Sequence, residues 1–133
     1  MSQVIIYTNE NGNVSVCTPT GELPIEEVLA KDCPEHAEIV EASVLPQGED
    51  DFFDAWRMTP PDGVVVVDLE IARAIQLARF NASAVQEAQK RQLNTLAGIA
   101  NAVTDEAFIA DLTAKRAAIA VATSTAELRA ITL

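Results

Sequence analysis

Val64-Val65-Val66-Val67-Asp68-Leu69-Glu70-Ile71-Ala72-Arg73 is the stretch where the chain changes character. Four valines in a row suit an extended strand, because β-branched side chains pack well on a pleated surface and lose rotamer freedom in a helix. Asp68 then offers a helix N-cap, with a charge that suits the positive end of the helix dipole. Beyond it, Ile71, Ile75, Ala78, Ala82 and Val85 recur at alternating steps of four and three. That is the period of a helix, whereas a half-buried strand alternates every second residue. The switch gives an α+β chain with its parts in series. An antiparallel β head with one short helix is expected over residues 1–67, and an alanine-rich helical hairpin over residues 68–133.

Working back from the valines, Pro60-Pro61-Asp62-Gly63 reads as a turn, with proline presetting φ and glycine accepting a left-handed position. It would join Ala55–Met58 to Val64–Val67 as a hairpin. At the other end, Gln3–Thr8 and Val14–Thr18 form an earlier hairpin around Asn9-Glu10-Asn11-Gly12-Asn13, residues that tolerate positive φ. Pro24 opens a short helix, Ile25–Lys31, with Ile25, Val28 and Leu29 on one face, and Pro34 closes it. Glu38–Leu45 reads as a third strand, stopped by Pro46 and Gly48.

Working forward, Gln89 and Gln92 interrupt the helical stripe, which resumes with Leu93, Leu96, Ile99 and Val103. No proline follows Pro61, and Gly98 is the one glycine after Gly63. Thr104-Asp105 reads as a second N-cap, and Phe108, Ile109, Leu112 and Ile119 as the apolar face of a helix to about Ala122. Ser124 and Glu127 have capping-box spacing and start a last short helix, Glu127–Ile131. Alanine-rich helices with narrow stripes bury little large side-chain area, at about 25 cal/mol per Å². Such a hairpin is expected to pack on something else: the head, a second copy or another protein.

Composition narrows the function classes. The 133 residues include 49% hydrophobic and 22% charged side chains, a globular balance, with a net charge of −11. Thirteen acidic and two basic residues lie in 1–63, against seven of each in 64–133. Nucleic acid and anionic membranes are disfavoured as partners, since both require clustered Lys and Arg. The neutral half can approach another protein without long-range repulsion. The N-terminus lacks a signal-peptide pattern and no apolar run has the length of a membrane span, so a soluble chain made in a cytosol is expected. Cys17 and Cys33 would be reduced there, and read as small buried hydrophobes more readily than as a disulfide.

Few residues suggest catalysis. Cys17, Cys33 and His36 could supply two thiolates and an imidazole to zinc, but a fourth ligand and the paired Cys-x-x-Cys spacing are lacking. A thiol nucleophile at Cys33 with His36 as base would lack an orienting third group. Glu49, Asp50, Asp51 and Asp54 do not follow the alternation of a calcium loop, and read as a solvated acidic loop. Nothing raises Glu26, Glu27 or Glu41 above surface positions. With no phosphate, dinucleotide, zinc-protease or hydrolase signature, the expectation is a protein that is not an enzyme and has no cofactor or metal. Phe52, Phe53 and Trp56 put three of the six aromatics within five residues. With Met58 they supply either a core or, bounded by acids and Arg57, a partner-facing patch. Candidate partner contacts are therefore Phe52, Phe53, Trp56 and Arg57, and on the helices Ile71, Ile75, Val85, Leu93 and Leu96.

The order of motifs carries a resemblance. The hairpin Val4–Thr8 and Val14–Val16 is followed by Ile25-Glu26-Glu27-Val28-Leu29-Ala30-Lys31-Asp32-Cys33-Pro34 and by Glu38–Pro46. Next come Asp54-Ala55-Trp56, a valine-rich strand, Val67-Asp68-Leu69-Glu70-Ile71-Ala72-Arg73 and a closing Thr125-Ala126-Glu127-Leu128. This pattern resembles small proteins encoded beside tail and tail-fibre genes of tailed bacteriophages, and is similar to the phage tail assembly chaperone-like family. The resemblance implies an assembly factor that binds other tail or fibre proteins in the host cytoplasm, or a small component kept in the virion tail, baseplate or fibre. A homo-oligomer is expected from the stripe and the charge split. A third reading, an acidic mimic of nucleic acid, would need its carboxylates arrayed like phosphates.

Overall fold

A computed structural model describes residues 2–59 and 64–133, so the expected turn at Pro60-Pro61-Asp62-Gly63 lies outside the described residues. The fold is α+β, and contacts divide it into two compact units, Met1–Asp68 and Leu69–Leu133.

The first unit begins with strands β1 (Gln3–Thr8) and β2 (Val14–Cys17), paired antiparallel from Ile5↔Cys17 to Thr8↔Val14. Their connection is locked by Asn9. Its side-chain oxygen accepts from the backbone N–H groups of Asn11 and Asn13, its amide donates to Ser15 Oγ, and Gly12 sits at φ 82°. Helix α1 (Ile25–Asp32) follows, with Ile25, Val28 and Leu29 half-buried as their spacing predicts. Strand β3 (Glu38–Glu41) pairs antiparallel with the other edge of β1, giving the order β2-β1-β3.

This strand is shorter than the expected Glu38–Leu45. The ladder on β1 ends where the Ala42 N–H donates to Ser2 O, and Ala42–Val44 then form a 3-10 turn. The Gln47 amide donates to the carbonyls of Ala42 and Leu45, supplying the bonds a longer ladder would have made. A 3-10 segment over Asp50–Ala55 leads into β4 (Trp56–Thr59), paired with β5 (Val64–Val67) in the register Trp56↔Val67 to Thr59↔Val64. The pairing continues one step further, with Asp68 N–H donating to Ala55 O.

The core of this unit follows from the alternation. Val4 and Ile6 of β1 face the same way as Val14, Val16 and Val40, and pack with Trp56 and Val65 of the second hairpin. Phe53, Met58 and Val67 fill its edges. Ile5 points to the opposite face of the sheet, between Cys17 and Ile39, and is fully buried there. Of the four valines of β5 only Val65 is buried; Val64 and Val66 face outward and stay exposed.

The second unit is α2 (Leu69–Leu96), α3 (Asp105–Val121) and α4 (Thr125–Ala130), with α3 and α4 both packed on α2. It is a helical hairpin closed at one end by a short third helix. Thr104 is the N-cap of α3, its hydroxyl accepting from Ala107 N–H at 3.1 Å. Ser124 caps α4 through Glu127 N–H, while the Glu127 carboxylate reaches back to the N–H and hydroxyl of Thr123, one residue before the expected box position.

The stripe read through Ile99 and Val103 does not stay helical. Gly98, at φ 75°, ends α2: Ile99 N–H donates to Asn94 O and Gly98 N–H to Thr95 O, the two bonds of a Schellman cap. Ile99 and Val103 lie in the connection, and both are exposed.

Candidate functional site

The face α2 turns to its neighbours is offset by one residue from the expected one. Ala72, Gln76, Phe80, Ala84 and Arg91 are buried, whereas Ile71 and Ile75 are half-buried and Ala78, Ala82 and Val85 exposed. Two of the buried positions are alanines, which let helices approach closely. Two more are polar side chains that reach backbone carbonyls.

Two side chains of α2, Arg73 and Gln76, reach carbonyls at helix C-termini, which a helix leaves without a partner of its own. Ala122 is the C-cap of α3, and its carbonyl accepts from Arg73 Nε at 2.8 Å and from Nη2 at 2.6 Å. Ile131 is the C-cap of α4, and its carbonyl accepts from Gln76 Nε2 at 3.1 Å. A guanidinium at the C-terminus of α3 also meets the negative end of the helix dipole. Arg91 works at the opposite end of the hairpin. Its Nη2 donates to Val103 O at 2.8 Å and to Asp105 Oδ1 at 2.6 Å, and its guanidinium lies 4.8 Å from the Phe108 ring centroid. The Arg91 carbonyl accepts from Thr95 Oγ1 and Asn101 Nδ2, which ties the connection down.

At the Arg91 end the helices do not close fully. Ala88, Arg91, Gln92, Thr95 and Leu96 of α2 face Asp105, Phe108, Ile109 and Leu112 of α3 across a groove of about 540 Å³. Leu96 is 78% exposed and Ile109 60% exposed at its rim, and Leu93, Ile99 and Val103 extend the apolar surface around the same end of the hairpin. Of the expected apolar face of α3, Ile119 is buried, Phe108 and Leu112 are half-buried and Ile109 is open. The charges that line the groove, Arg91 on α2 and Asp105 on α3, are bonded to each other.

The structure sorts the nine expected partner contacts into different places. Phe52 is fully buried and Trp56 is 3% exposed, its Nε1 donating to Glu49 O. These two are core side chains of the first unit and present no surface to a partner, which corrects that part of the reading. Phe53 packs on Trp56 with ring centroids 4.8 Å apart, and Arg57 Nη1 donates to the carbonyls of Asp54 and Trp56. Leu93 and Leu96 lie at the open end of the hairpin, and Val85 is exposed on α2. Ile71 and Ile75 sit about five to seven turns away from Leu93 and Leu96 on the same helix. Sequence reasoning missed Arg73, Gln76 and Arg91, because periodicity ranks apolar residues and passes over polar ones that serve helix ends.

The chemical candidates of the first unit separate as well. His36 Nε2 donates to Thr8 O at 3.0 Å, and its ring meets Tyr7 edge-on. Cys17 and Cys33 are free, and half-buried where small buried hydrophobes are expected. Burial pushes the Cys33 thiol above its ordinary value, with Cys17 and Asp32 adding to the effect. Glu49 to Asp54 fall on and before the 3-10 segment. Among the described residues, no group of three or more His, Cys, Asp or Glu is placed to hold a metal ion, and no helix is long and apolar enough to cross a membrane. Comparison of the chain with protein families, with curated proteins and with solved structures finds no match.

Proposed function

We propose that the chain is a non-catalytic accessory protein of tail or tail-fibre assembly in a tailed bacteriophage, acting through protein–protein contacts made by its helical unit. The supporting observation is the open groove between α2 and α3, with Leu96 and Ile109 exposed at its rim. Apolar surface left at one end of a helix pair is the usual mark of a contact site. The tail-assembly context rests on the sequence resemblance.

The first occupant of the groove is a second copy of the chain. Residues 69–133 contain six acidic and seven basic side chains, while residues 1–68 contain fourteen acidic and two basic ones. Two copies repel one another through their acidic units and meet without that penalty through their helical units. The charges lining the groove, Arg91 and Asp105, already pair with each other, so a second copy meets an apolar surface whose charge is balanced.

The test is a count of copies. Quantitative mass spectrometry would compare the protein in purified particles of the encoding phage with the infected-cell lysate. An assembly accessory is abundant in the lysate and absent from particles. A fixed copy number per particle, in a multiple matching the tail symmetry, would instead make it a permanent structural subunit and overturn the accessory reading.

A further inference from the structure

The three-stranded sheet of the first unit ends at β3, whose packed neighbours are β1 and α1. Because Ala42 N–H donates to Ser2 O, the pairs that exchange bonds with β1 are Ser2 with Ala42, Val4 with Val40 and Ile6 with Glu38. The peptide groups of Ile39 and Glu41 therefore point away from β1, and they have no hydrogen-bond partner among the described residues. Both residues are only half-buried. Such an edge is a template for one more strand. Its side chains decide which strand can join. β3 reads Glu38-Ile39-Val40-Glu41, with Val40 on the face of the Val4 and Ile6 core and Glu41 on the opposite face with Ile39. One carboxylate oxygen of Glu41 is buried and meets no donor among the described residues. Leaving it so is costly, and a cationic N–H beside it would remove that cost. A second copy of β3 cannot supply one, because antiparallel pairing about its centre sets Glu38 opposite Glu41 at both ends. The unit as a whole, with fourteen acidic and two basic side chains over residues 1–68, repels acidic strands and draws in cationic ones.

We propose that the open edge of β3 binds an extended cationic segment of another protein, added antiparallel as a fourth strand, with Lys or Arg opposite Glu41 and Glu38 and apolar residues between them. The site lies in the first unit and stands independently of the groove between the helices. Main-chain bonds from Ile39 and Glu41 hold the segment, and the alternating side chains select it. The residue opposite Glu41 lies on the same face of the sheet, within reach of its carboxylate, and the residue opposite Glu38 does the same on the other face. Between them, the residues opposite Val40 and Ile39 extend the two apolar faces by one strand. The two glutamates thus act in opposite senses: they keep copies of this chain from pairing edge to edge, and they admit a strand of the opposite charge.

The probe is the end-capped peptide Thr-Lys-Val-Ile-Lys-Thr, titrated to millimolar concentration into the isotope-labelled full-length protein while its amide resonances are followed by NMR. The amides of Ile39 and Glu41 should move furthest and exchange more slowly with solvent. Added salt should weaken the binding, and a peptide with Glu in place of both lysines should not bind. N-methylation separates strand pairing from simple charge attraction without altering the protein. A methyl on the peptide's Ile, whose N–H faces β3, should abolish binding; one on its Val, whose N–H faces away, should leave it in place. Glu41→Gln keeps the shape of the side chain and should weaken binding about fivefold. Absence of any shift, binding that survives the charge reversal or the methylated Ile, or largest shifts in the helical unit would each overturn the proposal. So would movement of the Ile39 and Glu41 amides on concentrating the protein without peptide, which would give the edge to a second copy.

Discussion

In Met1–Asp68 the elements are joined by apolar side chains: Val4, Ile6, Val14, Trp56 and Val65 form one cluster, with Phe52 and Ile5 fully buried. In Leu69–Leu133 the joints between helices include polar clasps, with Arg73, Gln76 and Arg91 each reaching across to a carbonyl of another helix or its flanking turn. The contrast follows from composition. Short strands offer every second residue to a shared core, and three aromatics near the second hairpin help fill it. Alanine-rich helices have little large apolar surface to offer, so close approach and charged hydrogen bonds to helix ends hold them. A unit held at particular points keeps some large apolar residues uncovered, and Leu96 and Ile109 are the outcome.

The largest expected effect breaks the first half of this comparison. Phe52→Ala should cost the head about 3–5 kcal/mol, as expected for emptying a buried aromatic site. Trp56, the sole tryptophan and part of the same unit, reports the loss directly as a lower denaturant midpoint in its fluorescence. Arg91→Ala removes the bonds to Val103 O and Asp105, along with the stack on Phe108. Hydrogen bonds to a charged group are worth about 1.5–3 kcal/mol, and Asp105 is itself exposed, so the loss should fall toward the lower end. Amide hydrogen exchange in the 97–104 connection should speed up, while exchange in α4 changes little.

Gly98→Ala tests the turn that ends α2. A Cβ there meets nothing within 4 Å, so the effect is purely backbone. Holding an alanine at positive φ costs about 1–2 kcal/mol, measurable as a lower thermal midpoint of the helical unit. The smallest effect belongs to Glu127. The backbone N–H and hydroxyl of Thr123 hold its carboxyl below the ordinary range. A lowered folded-state pKa contributes stability that is complete above the unfolded value and is lost as pH falls through the folded one. Glu127→Gln should therefore melt slightly lower than the parent at neutral pH, with the difference vanishing in acid.

Much of the architecture was legible because it rests on local signals. The change of period at Asp68, the Asn-Gly turn at 9–13, the Pro24 start of α1 and the Thr104 and Ser124 caps each act within a few residues. Where the reading failed, a longer-range preference won. β3 stops at Glu41 because its ladder on β1 runs only to Gln3, a fact about another strand. On α2, Ile71 and Ile75 outrank Ala72 and Gln76 by hydropathy, yet the closer helix approach selects the smaller residues one step along. The end of α2 was nonetheless readable: Gly98 is the glycine expected at the C′ position, and weighting it above the stripe would have placed Ile99 and Val103 outside the helix. For the site, Leu93 and Leu96 were found as apolar residues on a helix, but the groove that Leu96 borders also needs Phe108 and Ile109 from α3, which periodicity assigned to the interior.

Self-association through the open end of the hairpin is the claim that most needs measurement. Sedimentation equilibrium across the micromolar range, on the parent chain and on Leu96→Glu, tests it directly. Leu96 is 78% exposed, so the substitution leaves folding untouched while placing a charge in the groove. The parent should show a mass that rises with concentration above the 14.2 kDa of one chain, and the variant should stay at one chain throughout. A parent that remains a single chain at every concentration, or a variant that associates as well as the parent, would contradict the account.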